Sequence, residues 1–130
     1  MNHKDTEAQR NALSQRVIGA AIEAHRHLGP GLLESAYQTC LAYELSQAGL
    51  LVQQQLNLPL IYKGIQLDAA YRIDILVENQ LVLELKTVEK ILPIHEAQLL
   101  SYLRLGGFPL GLLLNFHAPT LKEGIKRLKL

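Results

Sequence analysis

Hydrophobic residues recur at helical spacing through the first third of the chain. Apolar positions between residues 12 and 28 repeat every three or four residues, which predicts a first helix that "LGPG" at residues 28–31 ends. The same spacing over residues 32–48 predicts a second helix, and Gly49 supplies its C-terminal stop. The chain is therefore expected to begin with two consecutive helices.

From residue 51 the pattern changes to extended runs. "VQQQLNLPLIY", "IQLDAAYRIDILV" and "LVLELKTV" are separated by a turn at Lys63-Gly64 and by another at "ENQ". Short apolar runs separated by turns predict an antiparallel meander of three strands. Pro59 predicts that the first of these strands lies at a sheet edge or carries an irregularity.

Two more elements and a C-terminal segment follow the meander. "LPIHEAQLLSYLRLGG" has a proline near its first turn and ends in paired glycines, which predicts a third helix. "FPLGLLLNF" is wholly apolar and predicts a fourth strand that is buried on both faces. "TLKEGIKRLKL" has a helical pattern, with an apolar stripe at Leu121, Ile125 and Leu128 and a basic opposite face.

The predicted order of elements is ααβββαβα. This order predicts an α/β fold with four strands. A length of 130 residues suits one domain over residues 1–130, and the polar residues 1–11 are expected to form a flexible N-terminal tail. The apolar runs permit a homodimer but do not specify one.

The composition is that of an ordinary globular protein, with 48% hydrophobic and 19% charged residues. The net charge of +1 neither indicates nor excludes a nucleic-acid partner. Cys40 is the only cysteine, which excludes an internal disulfide framework and a CxxC zinc site. The chain has no signal-peptide pattern and no run near the ~20 apolar residues that span a bilayer, so we expect a cytoplasmic protein with no membrane partner.

Three charged residues interrupt the two central apolar strands. Glu84 and Lys86 share one face of the third strand, because side chains alternate across a strand. Asp74 lies on the second strand, on the other side of the short "ENQ" turn. A hairpin centred near Asn79 places Asp74 directly opposite Glu84, whereas a slip of one or two residues would leave them diagonal.

Two adjacent carboxylates raise each other's pKa, and a divalent cation such as Mg²⁺ would remove that repulsion. Lys86 would then stand beside the metal, where it can orient or deprotonate a water or stabilise charge on a phosphate. The alternative is a structural salt bridge from Lys86 to Asp74 or Glu84 at a solvated sheet edge. The strongly apolar flanks favour a functional role, because buried polar groups are costly.

The helices offer further candidate residues. Gln98 and Tyr102 are four residues apart on one face of the third helix, where they could position a water and contact a phosphate. A boundary position on an amphipathic helix is the alternative explanation for both. Glu34 lies in the first turn of the second helix, where its charge suits the helix dipole without any further role.

Several motifs of the sequence together resemble those of a known protein family. "GLLESAY" at residues 31–37 has the pattern G-x-x-E-x-x-Y, and "HRHLGPGLLESAY", "AYRIDILVENQLVLELK", "HEAQLLSYLRL" and "LLLNF" are similar to successive blocks of the GxxExxY protein family. The resemblance covers roughly residues 13–128. That family is grouped with the PD-(D/E)XK nuclease superfamily, so the resemblance implies a restriction-endonuclease-like core, in which helices flank a mixed four-stranded sheet.

The resemblance also implies site residues. The implied metal ligands are Asp74 and Glu84, with Glu34 acting directly or through water and the Leu85 carbonyl as a further ligand. Lys86 matches the catalytic lysine, and Gln98 and Tyr102 match a Q-x-x-x-Y motif that many members carry. The implied catalytic set is Glu34, Asp74, Glu84, Lys86 and Gln98, and the candidate substrate contacts are His25, Tyr37 and Tyr102. Ile73 stands where the "PD" motif has proline, as in many members.

The resemblance implies a nuclease that depends on Mg²⁺ or Mn²⁺ and hydrolyses phosphodiester bonds of nucleic acid, with DNA as the expected polymer. The alternative is a non-catalytic nucleic-acid-binding or protein-interaction module that retains the fold, which the near-neutral charge favours. A third hypothesis is a purely structural homodimer in which Asp74, Glu84 and Lys86 form salt bridges. The basic C-terminal residues could contact phosphates or form a solvated helix face; they are Lys122, Lys126, Arg127 and Lys129.

Overall fold

Residues 6–130 form three α-helices and five β-strands, in the order ααβββαββ. A computed structural model describes residues 6–130, apart from the side chains of residues 69 and 70. The elements are α1 (Glu7–Leu28), α2 (Glu34–Gln47), β1 (Val52–Tyr62), β2 (Ile65–Val77), β3 (Leu81–Lys86), α3 (Pro93–Gly106), β4 (Leu110–Asn115), a 3-10 turn (Leu121–Gly124) and β5 (Ile125–Lys129).

The strands form one mixed sheet in the order β1-β2-β3-β4-β5. β1, β2 and β3 pair antiparallel as the predicted meander, β4 lies parallel to β3, and β5 returns antiparallel to β4. The α3 helix connects β3 to β4, as a parallel pair requires. The predicted α/β class, with helices flanking a mixed sheet, is confirmed.

Pro59 in β1 has the consequence that the sequence predicts. β1 lies at the edge of the sheet, and its pairing with β2 shifts register between Leu58 and Leu60. An edge position tolerates the missing N–H of proline, because no neighbouring strand needs it there.

The C-terminal segment was predicted as a helix, and this prediction is wrong. Residues 121–124 form a single 3-10 turn, and residues 125–129 form β5. The apolar spacing of Leu121, Ile125 and Leu128 is compatible with a helix. Without β5, however, the buried strand β4 would have unpaired backbone N–H and C=O groups along one edge. Pairing with β4 satisfies that edge, so the sheet has five strands rather than four.

Part of the predicted N-terminal tail is helical. Residues 7–11 belong to α1, and residues 1–5 of the predicted tail lie outside the described residues. Thr6 caps the helix, because its hydroxyl accepts a hydrogen bond from the Gln9 amide at 3.1 Å while the Gln9 side chain accepts from the Thr6 amide. This reciprocal capping box satisfies two amides that the first helical turn leaves unpaired.

Two hydrophobic cores lie on opposite faces of the sheet. One packs α1 and α2 against β3 and β4, through residues such as Val17, Tyr37, Leu41, Leu83 and Leu112. The other packs α3 against the reverse face, through residues such as Leu99, Leu103, Val82 and Leu113. Every residue of β4 is buried, which confirms the prediction that this strand is covered on both sides.

The close approach of Gly124 to β4 gives a stability test. A Cβ at Gly124 would lie 2.4 Å from the Asn115 carbonyl oxygen, a backbone atom that cannot rotate away. We expect Gly124→Ala to destabilise the fold by about 1–3 kcal/mol in urea unfolding. Gly19 in α1 is the matched control: its Cβ would meet nothing within 4 Å, so Gly19→Ala should stabilise by about 0.5–1 kcal/mol. Equal effects of the two substitutions would contradict the close packing of the 3-10 turn at Gly124 against Asn115.

Candidate active site

The β2–β3 hairpin places two carboxylates next to each other. Glu78 and Asn79 turn the chain with positive φ angles of 53° and 55°, the conformation that suits the twist of a tight hairpin. The strands then pair Val77 with Leu81, Leu76 with Val82, and Ile75 with Leu83. This is the predicted register, and it is confirmed.

At the next position the regular ladder gives way to bonds between side chains and backbone. The Asp74 amide donates to Glu84 Oε1 at 3.2 Å, and the Leu85 amide donates to Asp74 Oδ2 at 2.9 Å. Each carboxylate therefore satisfies a backbone N–H of the opposite strand. These two bonds fix Asp74 and Glu84 between the strands.

Burial makes the charged form of both carboxylates unfavourable. Glu84 is only 6% exposed, and burial, together with the charge of Asp74, raises its pKa to about 8. Burial also raises the pKa of Asp74, and the charge of Glu34 adds to this, while the bond from the Leu85 amide opposes it. Two adjacent oxygen donors in this state fit a hard divalent cation, which would favour the ionised form of both.

Lys86 ends β3 and lies beside the carboxylate pair. It is half-buried, and its charge lowers the pKa of both Asp74 and Glu84, although less than burial raises them. Among residues 6–130, the ion pairs within 4.0 Å join Glu23 to Arg26 and His27, and Glu7 to Lys129. Lys86 forms none in this part of the chain, so the trio is not the salt bridge that the alternative explanation requires.

Glu34 faces the pair from the first turn of α2 without joining it closely. Thr87, just beyond β3, donates to Glu34 Oε2 at 3.5 Å, and the Glu34 charge raises the pKa of Asp74 and Glu84. In the described part of the chain, no three His, Cys, Asp or Glu side chains converge closely enough to hold a metal ion. Glu34 is therefore a separate carboxylate that faces Asp74 and Glu84 from α2.

Tyr37 and His25 were predicted to contact substrate, and the structure buries both. The Tyr37 hydroxyl donates to the Gly29 carbonyl and accepts from the Leu32 amide at 3.1 Å, while its ring stacks on Phe116 at 4.5 Å. The His25 ring nitrogen lies 3.1 Å from the Phe116 carbonyl oxygen. Both side chains are occupied by core contacts, and Tyr37 fixes the loop that leads into Glu34.

The α3 helix carries the remaining predicted residues. Tyr102 is half-buried, and burial raises its pKa, with further contributions from the charges of Glu84 and Asp74. Its ring centroid lies 5.7 Å from that of Tyr71 on β2. Gln98 lies one turn earlier on α3 and is exposed. The helix thus places Tyr102 near the carboxylates, with Gln98 towards solvent.

Asn115 is a site residue that the sequence pattern did not single out. It is buried at the end of β4, directly across from Lys86. Its amide donates to the Val88 carbonyl at 2.7 Å and accepts from the Val88 and His117 amides at 3.1 and 3.2 Å. Asn115 therefore holds the segment that follows Lys86. A polar residue closing the apolar run "LLLNF" is the signal that could have identified it.

A cavity of about 710 Å³ opens beyond the ends of β3 and β4. Asn115 is one of its lining residues, together with Glu89, Glu96, His117 and Lys126. None of Glu34, Asp74, Glu84 or Lys86 lines it, so the carboxylate pair lies outside this cavity.

The protein has an α/β fold of the restriction-endonuclease-like type, with helices on both faces of a five-stranded mixed sheet. The two carboxylates lie where the regular pairing of β2 with β3 ends. A family model described as the PD-(D/E)XK nuclease superfamily matches residues 11–128. The chain belongs to this superfamily. Comparisons with curated proteins and with solved structures gave no match.

The superfamily assignment agrees with the resemblance in the sequence. The finer GxxExxY assignment stays a prediction. Among the helices that the structure describes, none is both long and apolar enough to cross a membrane.

Proposed function

We propose that this protein is a nuclease that depends on Mg²⁺ or Mn²⁺ and hydrolyses phosphodiester bonds of nucleic acid, with DNA as the polymer. One observation carries the proposal. Asp74 and Glu84 each accept a hydrogen bond from the backbone of the opposite strand, and burial raises the pKa of both side chains. Burial makes the charged forms of these two adjacent carboxylates unfavourable, and a bound cation would offset this cost. Membership of a nuclease superfamily supports the same function.

In this proposal Asp74 and Glu84 hold the cation, with the Leu85 carbonyl beside them and Glu34 acting through water. A cation bound here would supply Lewis-acid chemistry for polarising a phosphate and lowering the pKa of a water. Glu34 suits the water-mediated role because it approaches from α2 and stays separate from the pair.

The remaining residues act on the substrate and the attacking water. Lys86 donates hydrogen bonds to a phosphate oxygen and stabilises the negative charge that develops there during hydrolysis. Gln98 orients the water from α3, and the Tyr102 hydroxyl donates to a neighbouring phosphate. Asn115 pairs with Lys86 across β3 and β4, and its side chain holds Val88 in the segment that follows Lys86.

A thermal-shift titration tests the metal site. We expect Mn²⁺ or Mg²⁺ to raise the Tm of the wild-type protein. At a cation concentration about 100 times Kd, binding should add about 2.7 kcal/mol to the free energy of unfolding. Asp74→Asn and Glu84→Gln should lose this shift, because each removes a charged ligand. Glu89→Gln, which changes an exposed carboxylate beyond β3, is the matched control and should keep it. No shift in the wild type with either cation would contradict the metal site.

The alternative function is a non-catalytic module that binds nucleic acid or protein. The lack of a tight three-carboxylate cluster among residues 6–130, and the net charge of +1, favour it. Incubation of single- and double-stranded DNA and of RNA with each cation, against EDTA, separates the two functions. Cation-dependent cleavage supports the nuclease, whereas anisotropy-detected binding without cleavage supports the module.

A further inference from the structure

Gln55 has a backbone conformation that is unusual for its residue type and position. It lies inside β1 with a φ of 52°, in the left-handed region that a residue with a side chain seldom adopts. Its neighbours Gln54 and Leu56 pair with Ile75 and Ile73 on β2. The position across from Gln55 is therefore Asp74, and the strained residue faces the carboxylate site.

The Gln55 side chain is held from two other elements. Its amide nitrogen donates to Gln38 Oε1 on α2 at 2.6 Å, and its amide oxygen accepts from Arg72 Nη1 on β2 at 3.3 Å. Arginine has only donors, so the amide oxygen must face Arg72 and the amide nitrogen must face away from it. Gln38 takes one of the two N–H donors, which leaves the second for another acceptor.

Asp74 lies across from Gln55 in the β1–β2 register. Burial raises the pKa of Asp74 most, and the Gln55 side chain, acting as a hydrogen-bond donor, lowers it. The Asp74 carboxylate accepts from the Leu85 amide of β3, and the exposed Gln55 side chain is its neighbour on β1. Strained backbone persists where the surrounding structure requires it, and here the strained residue lies across from a site carboxylate.

We propose that Gln55 is a positioning residue that fixes the Asp74 carboxylate, and that it thereby sets the rate of the phosphodiester hydrolysis proposed above, on which this role rests. Gln38 and Arg72 hold the Gln55 amide, and the Gln55 amide holds Asp74. The substrate does not contact Gln55 in this role, so its loss should lower kcat and leave KM nearly unchanged.

Gln55→Gly separates this role from a structural one. Glycine relieves the left-handed strain, so the Tm of the metal-free protein should rise by about 2–6 °C. The same variant should lower kcat by about 10- to 100-fold, because Asp74 is no longer held at its position. A residue that served stability alone could not give opposite changes in Tm and kcat.

Gln54→Gly is the matched control. Gln54 has the same side chain and also bonds to Gln38, but its backbone φ is not positive. Glycine there should lower the Tm and leave kcat unchanged. Gln55→Glu is a second comparison, because it can still accept from Arg72 but has no donor for Asp74. It should lower kcat at least as far as Gln55→Gly.

Amide hydrogen exchange at Leu85 tests the positioning without metal or turnover. The Leu85 amide donates to Asp74, so a loosened Asp74 should speed its exchange by about 10-fold relative to Leu113 in β4. A wild-type protein without nuclease activity would defeat the proposed function, but faster Leu85 exchange in Gln55→Gly would still support the fixing of Asp74. Unchanged Leu85 exchange in Gln55→Gly would overturn the inference, as would an unchanged kcat in an active enzyme.

Discussion

Lys86→Met is expected to reduce cation-dependent cleavage roughly 10²- to 10⁴-fold, and Asp74→Asn to reduce it at least as far. Methionine keeps the apolar stem of Lys86 and removes the donors that stabilise charge on the phosphate. Asparagine keeps an oxygen that can accept from the Leu85 amide but removes a charged cation ligand. Both variants should therefore fold while losing activity.

Initial rates on a labelled DNA substrate, with Mg²⁺ or Mn²⁺ in excess, measure this effect. Lys90→Met is the control, because Lys90 is an exposed lysine four residues beyond Lys86. It should cleave at the wild-type rate. Circular dichroism must show the same fold for all three variants. If Lys86→Met and Asp74→Asn cleave as fast as the wild type, the activity belongs to another site or to a contaminating enzyme.

In EDTA, the wild-type protein is expected to lose stability as the pH rises from about 5 to about 8.5. The pKa of Glu84 is raised from 4.5 to about 8 in the folded protein, so between these values the folded state holds a proton that the unfolded state has released. The free energy of unfolding therefore falls with rising pH in this window. The raised pKa of Asp74 acts in the same direction, and the total change is on the order of a few kcal/mol.

Urea unfolding at pH 5, 7 and 8.5 measures this slope for the wild type and Glu84→Gln. Glutamine stays neutral and can still accept from the Asp74 amide, so the variant should have a shallower slope than the wild type and be more stable than it at pH 8.5. Histidines also titrate in this window, so the difference between the two proteins isolates Glu84. Glu89→Gln alters an exposed carboxylate and should keep the wild-type slope. Parallel slopes for the wild type and Glu84→Gln would contradict the burial of an acid at this position.

Local patterns were enough to predict the β2–β3 hairpin and its register. A short polar turn and strand alternation placed Asp74 across from Glu84, and their bonds are made by residues only ten or eleven apart in sequence. The edge position of β1 was also predictable, because proline imposes it locally.

Other features depend on contacts that a local pattern does not contain. The spacing of Leu121, Ile125 and Leu128 fits a helix, and only the open edge of β4 decides for a strand. The burial of His25 depends on Phe116, which is 91 residues away. Gln55 stands in "QQQ", where nothing distinguishes it from its neighbours until its side chain bonds to Gln38 on α2 and Arg72 on β2.

The two edges of the sheet limit its growth by strand addition. On one side, the left-handed residue Gln55 and the register shift between Leu58 and Leu60 break the eleven-residue β1 into short stretches. On the other side, β5 has only five residues, and three of them are basic. Neither edge offers the long, flat and apolar template that a second chain needs for edge-to-edge polymerisation. The backbone irregularity that faces the carboxylate site therefore also helps to keep the sheet finite at high protein concentration.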